Sequence, residues 1–265
     1  MDLLEAILLG LVQGITEWLP VSSSGHLVFF EEMLGIDQEE HVLFNLILHA
    51  ATLISVSVFL RRDLKKILGA FLVSRENMDA EASKNRRLGW FAIIATVPAA
   101  ATGLVANDHI EAVVSPITAA VALLITGAIL WFAEMPRLRK ERNELTLKDA
   151  VIMGCFQAFA IIPGISRSGS TISSGAYLGL ARELLAVFSF LMSIPLILMS
   201  IVYGLFVLES SSIDWGVTLV AASVAAASGF LALTWLFDII KKHRLRLFSV
   251  YCWAVGGVAI ILLIG

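Results

Sequence analysis

The sequence predicts an all-α protein embedded in a membrane, with six transmembrane helices and two re-entrant helix-loop-helix hairpins. The composition, six long apolar stretches and two interrupted apolar stretches support this fold class. Of the 265 residues, 58% are hydrophobic and 15% are charged, and the mean hydropathy is +0.87. Soluble domains carry about 25% charged residues, so we expect a single membrane domain over residues 1–265. The net charge of −3 does not indicate a nucleic-acid partner, and we expect none.

Six stretches are long and apolar enough to cross a bilayer core, which needs about 20 residues. They cover residues 42–60, 88–106, 115–133, 185–208, 215–237 and 247–264. Two further apolar stretches, 3–34 and 147–178, are interrupted at 19–26 and at 163–170. Their pieces are too short to cross, so each stretch predicts a re-entrant hairpin. Such backbone is tolerated at membrane depth where protein or an aqueous cavity surrounds it.

Basic residues lie on one side of the predicted membrane. If the six spans alternate in direction, eighteen of the 19 Lys and Arg residues fall on that side, mainly within 61–87, 137–148 and 241–246. The links on the opposite side are acidic or neutral. The positive-inside rule places the basic side in the cytoplasm, so we expect a plasma (inner) membrane protein with both termini outside.

An internal repeat relates the two interrupted stretches. Shifting the chain by 144 residues gives 11 identities in the 42-residue window that begins at Leu3. The shift superimposes one glutamine and three polar-loop residues on their counterparts: Gln13, Ser22, Ser24 and Gly25 on Gln157, Ser166, Ser168 and Gly169. Each half, 1–133 and 145–265, has one interrupted stretch followed by three spans, and this odd number predicts an inverted topology. Inverted repeats with broken helices place their site near the midplane, where we expect the two polar loops to meet.

The first interrupted stretch carries chemically active side chains. Gln13 and Glu17 are spaced i and i+4, so they point into the protein together. A carboxylate at membrane depth is costly, which makes function the default hypothesis for Glu17. The loop that follows offers hydroxyls, small residues and an imidazole, at Ser22, Ser23, Ser24, Gly25 and His26. It also begins a helix, whose first backbone N–H groups can bind an anion.

Ser23 and His26 are alternative nucleophiles in this loop. His26 can act as a nucleophile or as a general acid or base near neutral pH. Ser23 can attack if His26 or Glu17 accepts its proton, and direct attack by water is the third alternative. We favour His26, oriented by Glu17, because an imidazole needs no separate base.

The second interrupted stretch contributes a cation and further hydroxyls. Arg167 is the one basic residue outside the basic side, and its guanidinium can bind two phosphate oxygens at once. Its neighbours are further candidates for substrate binding: Ser166, Ser168, Gly169, Ser170 and Thr171. The structural alternative is an ion pair between Arg167 and Glu17. That alternative does not explain the surrounding hydroxyls.

The other histidines carry weaker signals. His49 lies in the first span and could face the site, although a hydrogen-bonded core histidine is the commoner case. His41 and His109 lie in outer links, and His243 lies in a basic inner run. We expect these three side chains to be solvated.

The residues from Gln13 to His26 resemble the first signature of the undecaprenyl-diphosphatase family, also called the bacitracin-resistance family. The residues from Pro163 to Ile172 resemble its second signature. The resemblance covers the whole chain in segment order and length, and the two motifs together are specific. Gln13 and Glu17 match a family element that begins with Glu or Gln. Gln at the first position leaves one carboxylate, which argues against a two-carboxylate metal site.

The resemblance implies an enzyme that hydrolyses undecaprenyl (polyprenyl) diphosphate to the monophosphate and phosphate. This reaction recycles the carrier lipid for cell-wall peptidoglycan synthesis. The resemblance also implies an outward-facing site and a divalent cation, Mg²⁺ or Ca²⁺, with Glu17 as ligand. Motif matching gives catalytic roles to Glu17, Ser23, His26 and Arg167, and substrate binding to Gln13 and the loop residues named above. A homodimer is among the assemblies left open.

A lipid flippase or secondary transporter is the main alternative, because discontinuous helices in inverted repeats are a transporter architecture. The set of Glu17, Ser23, His26 and Arg167 favours an enzyme, since transport alone does not require it. A non-catalytic membrane scaffold does not explain polar groups at midplane depth.

Overall fold

The computed structural model describes residues 1–36, 42–111, 114–135, 141–207 and 213–264. Within these ranges the chain forms eleven α-helices and a short 3₁₀ turn at Arg75–Asn77. The helices are α1 (Leu3–Trp18), α2 (Ser23–Leu34), α3 (Val42–Phe59), α4 (Arg61–Leu72), α5 (Ala80–Glu111), α6 (Pro116–Ala133), α7 (Leu147–Phe159), α8 (Arg167–Tyr177), α9 (Arg182–Val207), α10 (Trp215–Lys241) and α11 (Arg246–Ile264). The described residues contain no β-strand, so the all-α prediction is confirmed.

Six of these helices are long and apolar enough to cross a membrane, as predicted. They are α3, α5, α6, α9, α10 and α11, with apolar spans at Val42–Phe59, Ala80–Val105, Pro116–Ala133, Arg182–Gly204, Trp215–Lys241 and Arg246–Ile264. Helix α5 is 32 residues long and begins before the predicted span, because it continues through the charged segment that precedes Leu88. The chain is therefore a multi-pass membrane protein.

Four shorter helices flank the two polar loops. Helices α1, α2, α7 and α8 contain 16, 12, 13 and 11 residues. At about 1.5 Å per residue, none of them reaches across a bilayer core of about 30 Å. Helix α1 ends at Trp18, and Leu19 is extended because it precedes Pro20.

The basic stretch 61–87 contains a helix that the sequence analysis did not predict. Helix α4 is amphipathic, with Ile67 buried and Leu68 exposed. The last carbonyl groups of a helix have no partner within it. Arg86 of α5 donates hydrogen bonds to three carbonyl oxygens in and just after the last turn of α4, those of Ala70, Phe71 and Val73. This contact fixes α4 against α5.

Glycines let helices from the two halves of the chain pack closely. Helix α1 lies against α10, and α7 lies against α5. A Cβ atom at Gly10 would lie 2.5 Å from the carbonyl oxygen of Ala221, and one at Gly154 would lie 2.5 Å from that of Ala95. Each broken segment is therefore held by a long helix of the other half.

Candidate active site

The two polar loops share the same helix-capping pattern, although the capping serines differ in backbone conformation, with a φ of 67° at Ser22 and −74° at Ser166. Ser22 caps α2 by accepting a hydrogen bond from the N–H of Gly25, at 3.3 Å. Ser166 caps α8 by accepting one from the N–H of Gly169, at 3.0 Å. In each loop the capping hydroxyl also lies near the hydroxyl two residues later, at 3.3 Å in the first and 3.2 Å in the second. The capping interactions therefore use the N–H groups of both glycines.

Direct contacts join the two loops. Ser168 Oγ of the second loop donates to the carbonyl oxygen of Leu19 in the first, at 3.0 Å. A Cβ atom at Gly25 would lie 3.0 Å from the Cα of Gly164, so the two backbones approach each other closely. These contacts confirm that the two polar loops meet.

Glu17 lies at the junction, and its side chain is almost fully buried. Its Oε1 accepts a hydrogen bond from Arg167. Its Oε2 accepts one from Ser23 Oγ at 2.6 Å and another from Gln13 Nε2 at 3.0 Å. The predicted pairing of Gln13 with Glu17 is therefore confirmed. The carboxylate joins the first loop to the one cation of the second.

Ser23 reaches Glu17 because of a strained turn. Ser22 has a φ of 67°, which non-glycine residues seldom adopt. This conformation ends the loop after Pro20 and starts α2 at Ser23, so that the Ser23 hydroxyl points back to the end of α1. Strain of this kind persists where the surroundings enforce it, and it is concentrated at functional sites.

Arg167 begins α8, just as Ser23 begins α2. Its guanidinium lies over the ring of Trp18, with 5.5 Å between Cζ and the ring centroid. The Glu17 carboxylate and the Trp18 face hold the guanidinium at the mouth of the junction. The ion pair that the sequence analysis weighed as an alternative is present. It lies within a larger polar site.

The junction opens into a cavity of about 440 Å³. Its polar end contains Glu17, Ser22, Ser23, Ser24, His49, Gln157, Ser166 and Arg167. Its walls come from α5, from α9 and from the segment between α7 and α8, and they are mostly apolar: Ala99, Ala100, Gly103, Leu104, Ala160, Ile161, Ile165, Leu196, Ile197, Met199, Ser200 and Tyr203. The cavity therefore combines a charged, hydroxyl-rich end with an apolar side.

Several predicted binding residues lie behind the cavity. Thr171 Oγ1 is 2.5 Å from Ser189 Oγ of α9, and Ser170 is buried. With Ser168, Gly25 and Gly169, these residues do not line the cavity. They cap helices or join one helix to another. We therefore infer that they support the site and do not bind the substrate directly.

His26 occupies a different position from the one expected. Its Nδ1 is 2.8 Å from the carbonyl oxygen of Ser22, and its Nε2 is 2.8 Å from the hydroxyl of Tyr251. The imidazole stacks on the Tyr251 ring at an interplanar angle of 8° and lines a separate apolar cavity between α2 and α11. The expected contact between Glu17 and His26 is not formed. Tyr251 turns the ring away, and both ring nitrogens are already hydrogen-bonded.

His49 lies where the sequence analysis expected His26. It lines the cavity, and its Nε2 is 3.6 Å from Glu17 Oε2. Its Nδ1 is 2.9 Å from the carbonyl oxygen of Asn45, which can only accept, so Nδ1 carries a proton. Of the two positions considered for His49, the structure shows the one that faces the cavity, with Nδ1 also hydrogen-bonded as a core histidine would be. The signal available in the sequence was an ionisable residue within a transmembrane span, which is a functional hypothesis by default.

The residues around Glu17 do not fit a divalent cation held by the protein alone. The described residues contain no group of three or more His, Cys, Asp or Glu side chains placed to bind a metal. Both oxygens of Glu17 already accept hydrogen bonds, one of them from a guanidinium. Gln13 Oε1 is buried without a partner, but it is neutral. Ions such as Mg²⁺ are usually bound through carboxylates together with substrate phosphates.

Comparison with known proteins identifies the family. Residues 6–258 match the family model described as bacitracin resistance protein BacA. The chain belongs to the BacA family. A protein from Methanobrevibacter smithii is 39% identical over 272 residues, covering 97% of this chain and 96% of its own. Proteins from Alkaliphilus metalliredigens and Teredinibacter turnerae are 39% and 38% identical, with 98% and 97% of both chains covered. All three relatives are named undecaprenyl-diphosphatase.

Proposed function

We propose that this chain hydrolyses undecaprenyl or a similar polyprenyl diphosphate to the monophosphate and inorganic phosphate. The observation that carries the proposal is the Ser23 hydroxyl, which donates to the buried Glu17 carboxylate beside Arg167. A nucleophile, a base and a phosphate-binding cation thus share one cavity. The names of the three relatives, similar over nearly their full length, support the same activity.

The shape of the cavity suits a diphosphate lipid. The headgroup would occupy the end that contains Ser23, Ser24 and Arg167, where hydroxyl and guanidinium groups can donate to its oxygens. The prenyl chain would leave between α5 and α9, where Leu104 and Tyr203 are exposed at the surface of the helices. A lipid substrate could then react without leaving the membrane.

The geometry supports Ser23 as the nucleophile. Its oxygen attacks the terminal phosphorus while Glu17 accepts its proton. The bond from phosphorus to the bridging oxygen breaks, its electron pair remains on that oxygen, and the polyprenyl monophosphate leaves. Water then attacks the phosphorus of the phosphoserine, and the bond from phosphorus to Ser23 Oγ breaks. Oγ takes the proton from Glu17, and inorganic phosphate leaves with the oxygen and both protons of the water. Activation of a hydroxyl by an adjacent base is the general requirement for such a step.

Arg167 would stabilise the charge that develops on the transferred phosphoryl group. A guanidinium has five N–H donors, so it can keep its contact with Glu17 and still bind phosphate oxygens. An imidazolium at His49 would attract the Glu17 carboxylate from the cavity side, because its Nε2 lies 3.6 Å from the oxygen that accepts from Ser23. Attack by His26 would first require its ring to leave Tyr251.

A divalent cation would enter with the substrate. The diphosphate carries its own oxygen ligands, and the protein would add Glu17 as a single carboxylate. Such a cation would neutralise phosphate charge during the reaction. We therefore expect the affinity for the cation to depend on bound diphosphate.

We also propose that the two halves form an inverted repeat with two re-entrant hairpins. Reciprocal contacts support it: Gly25 approaches Gly164, and Gly169 approaches Pro20. The shift of 144 residues exchanges these two pairs. A contact that occurs twice with its roles exchanged is what a two-fold axis generates. The packing of α1 on α10 and of α7 on α5 follows the same rule.

An outward-facing site follows from the proposed orientation. The cavity walls include the later parts of α5 and α9, Ala99–Leu104 and Leu196–Tyr203. These parts approach the acidic links, which the positive-inside rule places outside. The enzyme would then act in the outer leaflet of the plasma membrane and recycle the carrier lipid of cell-wall synthesis.

Phosphate release by purified protein tests the proposed function. We expect release from a polyprenyl diphosphate in detergent, dependent on an added divalent cation and stopped by a chelator. Ser23→Ala is the matched negative control. Movement of labelled lipid across vesicles without phosphate release would instead indicate a flippase.

A further inference from the structure

A second polar cavity lies at the opposite end of α9 from the candidate active site. It measures about 490 Å³, and its polar lining comprises Glu134, Arg182, His243, Arg244 and Arg246. Arg182 is the first residue of α9, whereas α9 contributes Leu196–Tyr203 to the catalytic cavity. At about 1.5 Å per residue the two positions are roughly 20–30 Å apart along the helix. The two cavities are therefore separate.

The polar groups of this second cavity are mainly hydrogen-bond donors. Arg182 Nε donates to His243 Nδ1 at 3.1 Å, so a neutral His243 carries its proton on Nε2. Arg182 Nη1 and Arg246 Nε are buried and have no hydrogen-bond partner among the residues that the structure describes. Arginine cannot accept a hydrogen bond. Two arginines that line the cavity thus carry N–H groups that no described acceptor satisfies.

The nearby carboxylates do not supply the missing acceptors. Glu134 accepts hydrogen bonds from the backbone N–H groups of Leu245 and Arg246, at 2.6 and 3.3 Å, and so caps the start of α11. Glu141 is half-exposed and lies 3.8 Å from Arg182 Nε. Neither reaches the unpartnered guanidinium atoms. The lining therefore favours an anion that has several oxygens.

The arginines are held in place before any ligand binds. The guanidinium of Arg246 lies 4.7 Å above the ring of Trp131. His243, which orients Arg182, has a φ of 54° in the turn between α10 and α11. Strained residues of this kind occur at ligand sites more often than elsewhere. A fixed, planar pair of donors matches phosphate better than it matches a single halide ion.

The remaining lining is apolar and exposed. Leu247 and Val250 of α11 complete the cavity, and both are more than half exposed. In a transmembrane helix such side chains face lipid, so an occupant of the cavity would have hydrocarbon directly beside its phosphate. We propose that this cavity binds the phosphate headgroup of an anionic membrane lipid, in the leaflet opposite the catalytic cavity.

The position at the basic end of the bundle supports this assignment. The proposed topology places the start of α9 and the α10–α11 turn on the cytoplasmic side. Basic pockets between transmembrane helices on that side are a recurrent site for lipid headgroups. The site is independent of the proposed hydrolysis, since it shares no residue with the catalytic cavity.

Thermal unfolding of the full-length protein in detergent tests the site. Phosphatidylglycerol is added to wild type, to the double variant R182Q/R246Q and to the control R62Q/K65Q, which removes two exposed charges from α4. At a lipid concentration about 100 times Kd, we expect Tm to rise by roughly 5–10 °C in wild type and control. We expect no rise in R182Q/R246Q. An equal rise in that variant would overturn the proposal.

Inorganic phosphate forms the second arm of the experiment. We expect it to give little stabilisation, because it lacks the hydrocarbon that Leu247 and Val250 would contact. An equal rise in Tm with inorganic phosphate alone would assign the cavity to free phosphate and refute a lipid site. If R182Q/R246Q does not fold, the single variants R182Q and R246Q replace it, and retention of the full lipid shift by both would refute the proposal.

Discussion

The first and second polar loops share a helix-capping pattern but differ in the backbone of the capping serine and in the side chain that follows it. Ser22 has a φ of 67°, whereas Ser166 has a φ of −74°. Each places a capping serine before a half-helix, and the residue that follows the cap is Ser23 in one and Arg167 in the other. The shift of 144 residues superimposes these two positions. Both side chains reach the same carboxylate, Glu17, which has an isoleucine at its own counterpart position. Two similarly capped loops can thus build an asymmetric site when a few side chains differ between them, here Ser23 and Glu17 and the residues at their counterpart positions.

The largest expected effect tests whether the first loop supplies the nucleophile while the second loop binds phosphate. Ser23→Ala is expected to lower phosphate release by about 10⁴-fold or more, as for removal of a nucleophile in other hydrolases. It should also abolish the phosphoenzyme in a quenched reaction with labelled diphosphate. Ser24→Ala is the matched control, since Ser24 lines the same cavity but does not contact Glu17. Detection of phosphohistidine at His26 would instead identify His26 as the nucleophile, which is the residue that the sequence favoured.

The next effect concerns the cation of the second loop. Arg167→Ala removes the charge, whereas Arg167→Lys keeps it and loses the planar fork. We expect Arg167→Lys to remain about 100- to 1,000-fold below wild type, the usual cost of removing a preorganised donor to an anionic transition state. Near-normal phosphate release by the lysine variant would show that charge alone is sufficient.

Two substitutions with smaller expected effects compare the contributions of His49 and His26 to the reaction. His49→Ala is expected to lower kcat by about 10- to 100-fold, because it would remove a positive charge 3.6 Å from Glu17 Oε2. Tyr251→Phe removes the partner of His26 and is expected to cost less than about 10-fold, as for a neutral hydrogen bond. Steady-state phosphate release measures both. A larger loss in Tyr251→Phe than in His49→Ala would place His26 in the reaction.

These outcomes bear on how far the sequence determines the site. The spans and the pairing of Gln13 with Glu17 follow from helix length and period, which are local properties. The meeting of the loops is predicted from the internal repeat of 144 residues. The direction of His26 depends on Tyr251, 225 positions away, and on a strained φ at Ser22. The position of His49 beside Glu17 depends on how α3 packs against α1. Such contacts between distant segments leave no local pattern, so the sequence motif grouped His26 with a carboxylate that it does not touch.

The smallest expected effect tests whether the two halves are packed alike. Gly10 and Gly154 occupy counterpart positions, and a Cβ atom at either would lie 2.5 Å from a backbone carbonyl oxygen of the facing helix. Backbone cannot move aside as a flexible side chain can, so α1 would have to shift from α10, or α7 from α5. We expect Gly10→Ala and Gly154→Ala each to lower the free energy of unfolding by about 1–3 kcal/mol, the usual cost of overpacking.

Gly257 of α11 is the matched control for this pair, because a Cβ atom there would meet no atom within 4 Å. Alanine is the better helix former by about 1 kcal/mol, so Gly257→Ala should leave Tm unchanged or raise it. Thermal unfolding in detergent compares the three variants. If Gly10→Ala and Gly154→Ala destabilise equally, the reciprocal packing of the halves is supported. A tolerated alanine at one of them would mean that only one broken segment is tightly enclosed, and the two loops would then share a capping pattern without sharing the packing that a two-fold repeat requires.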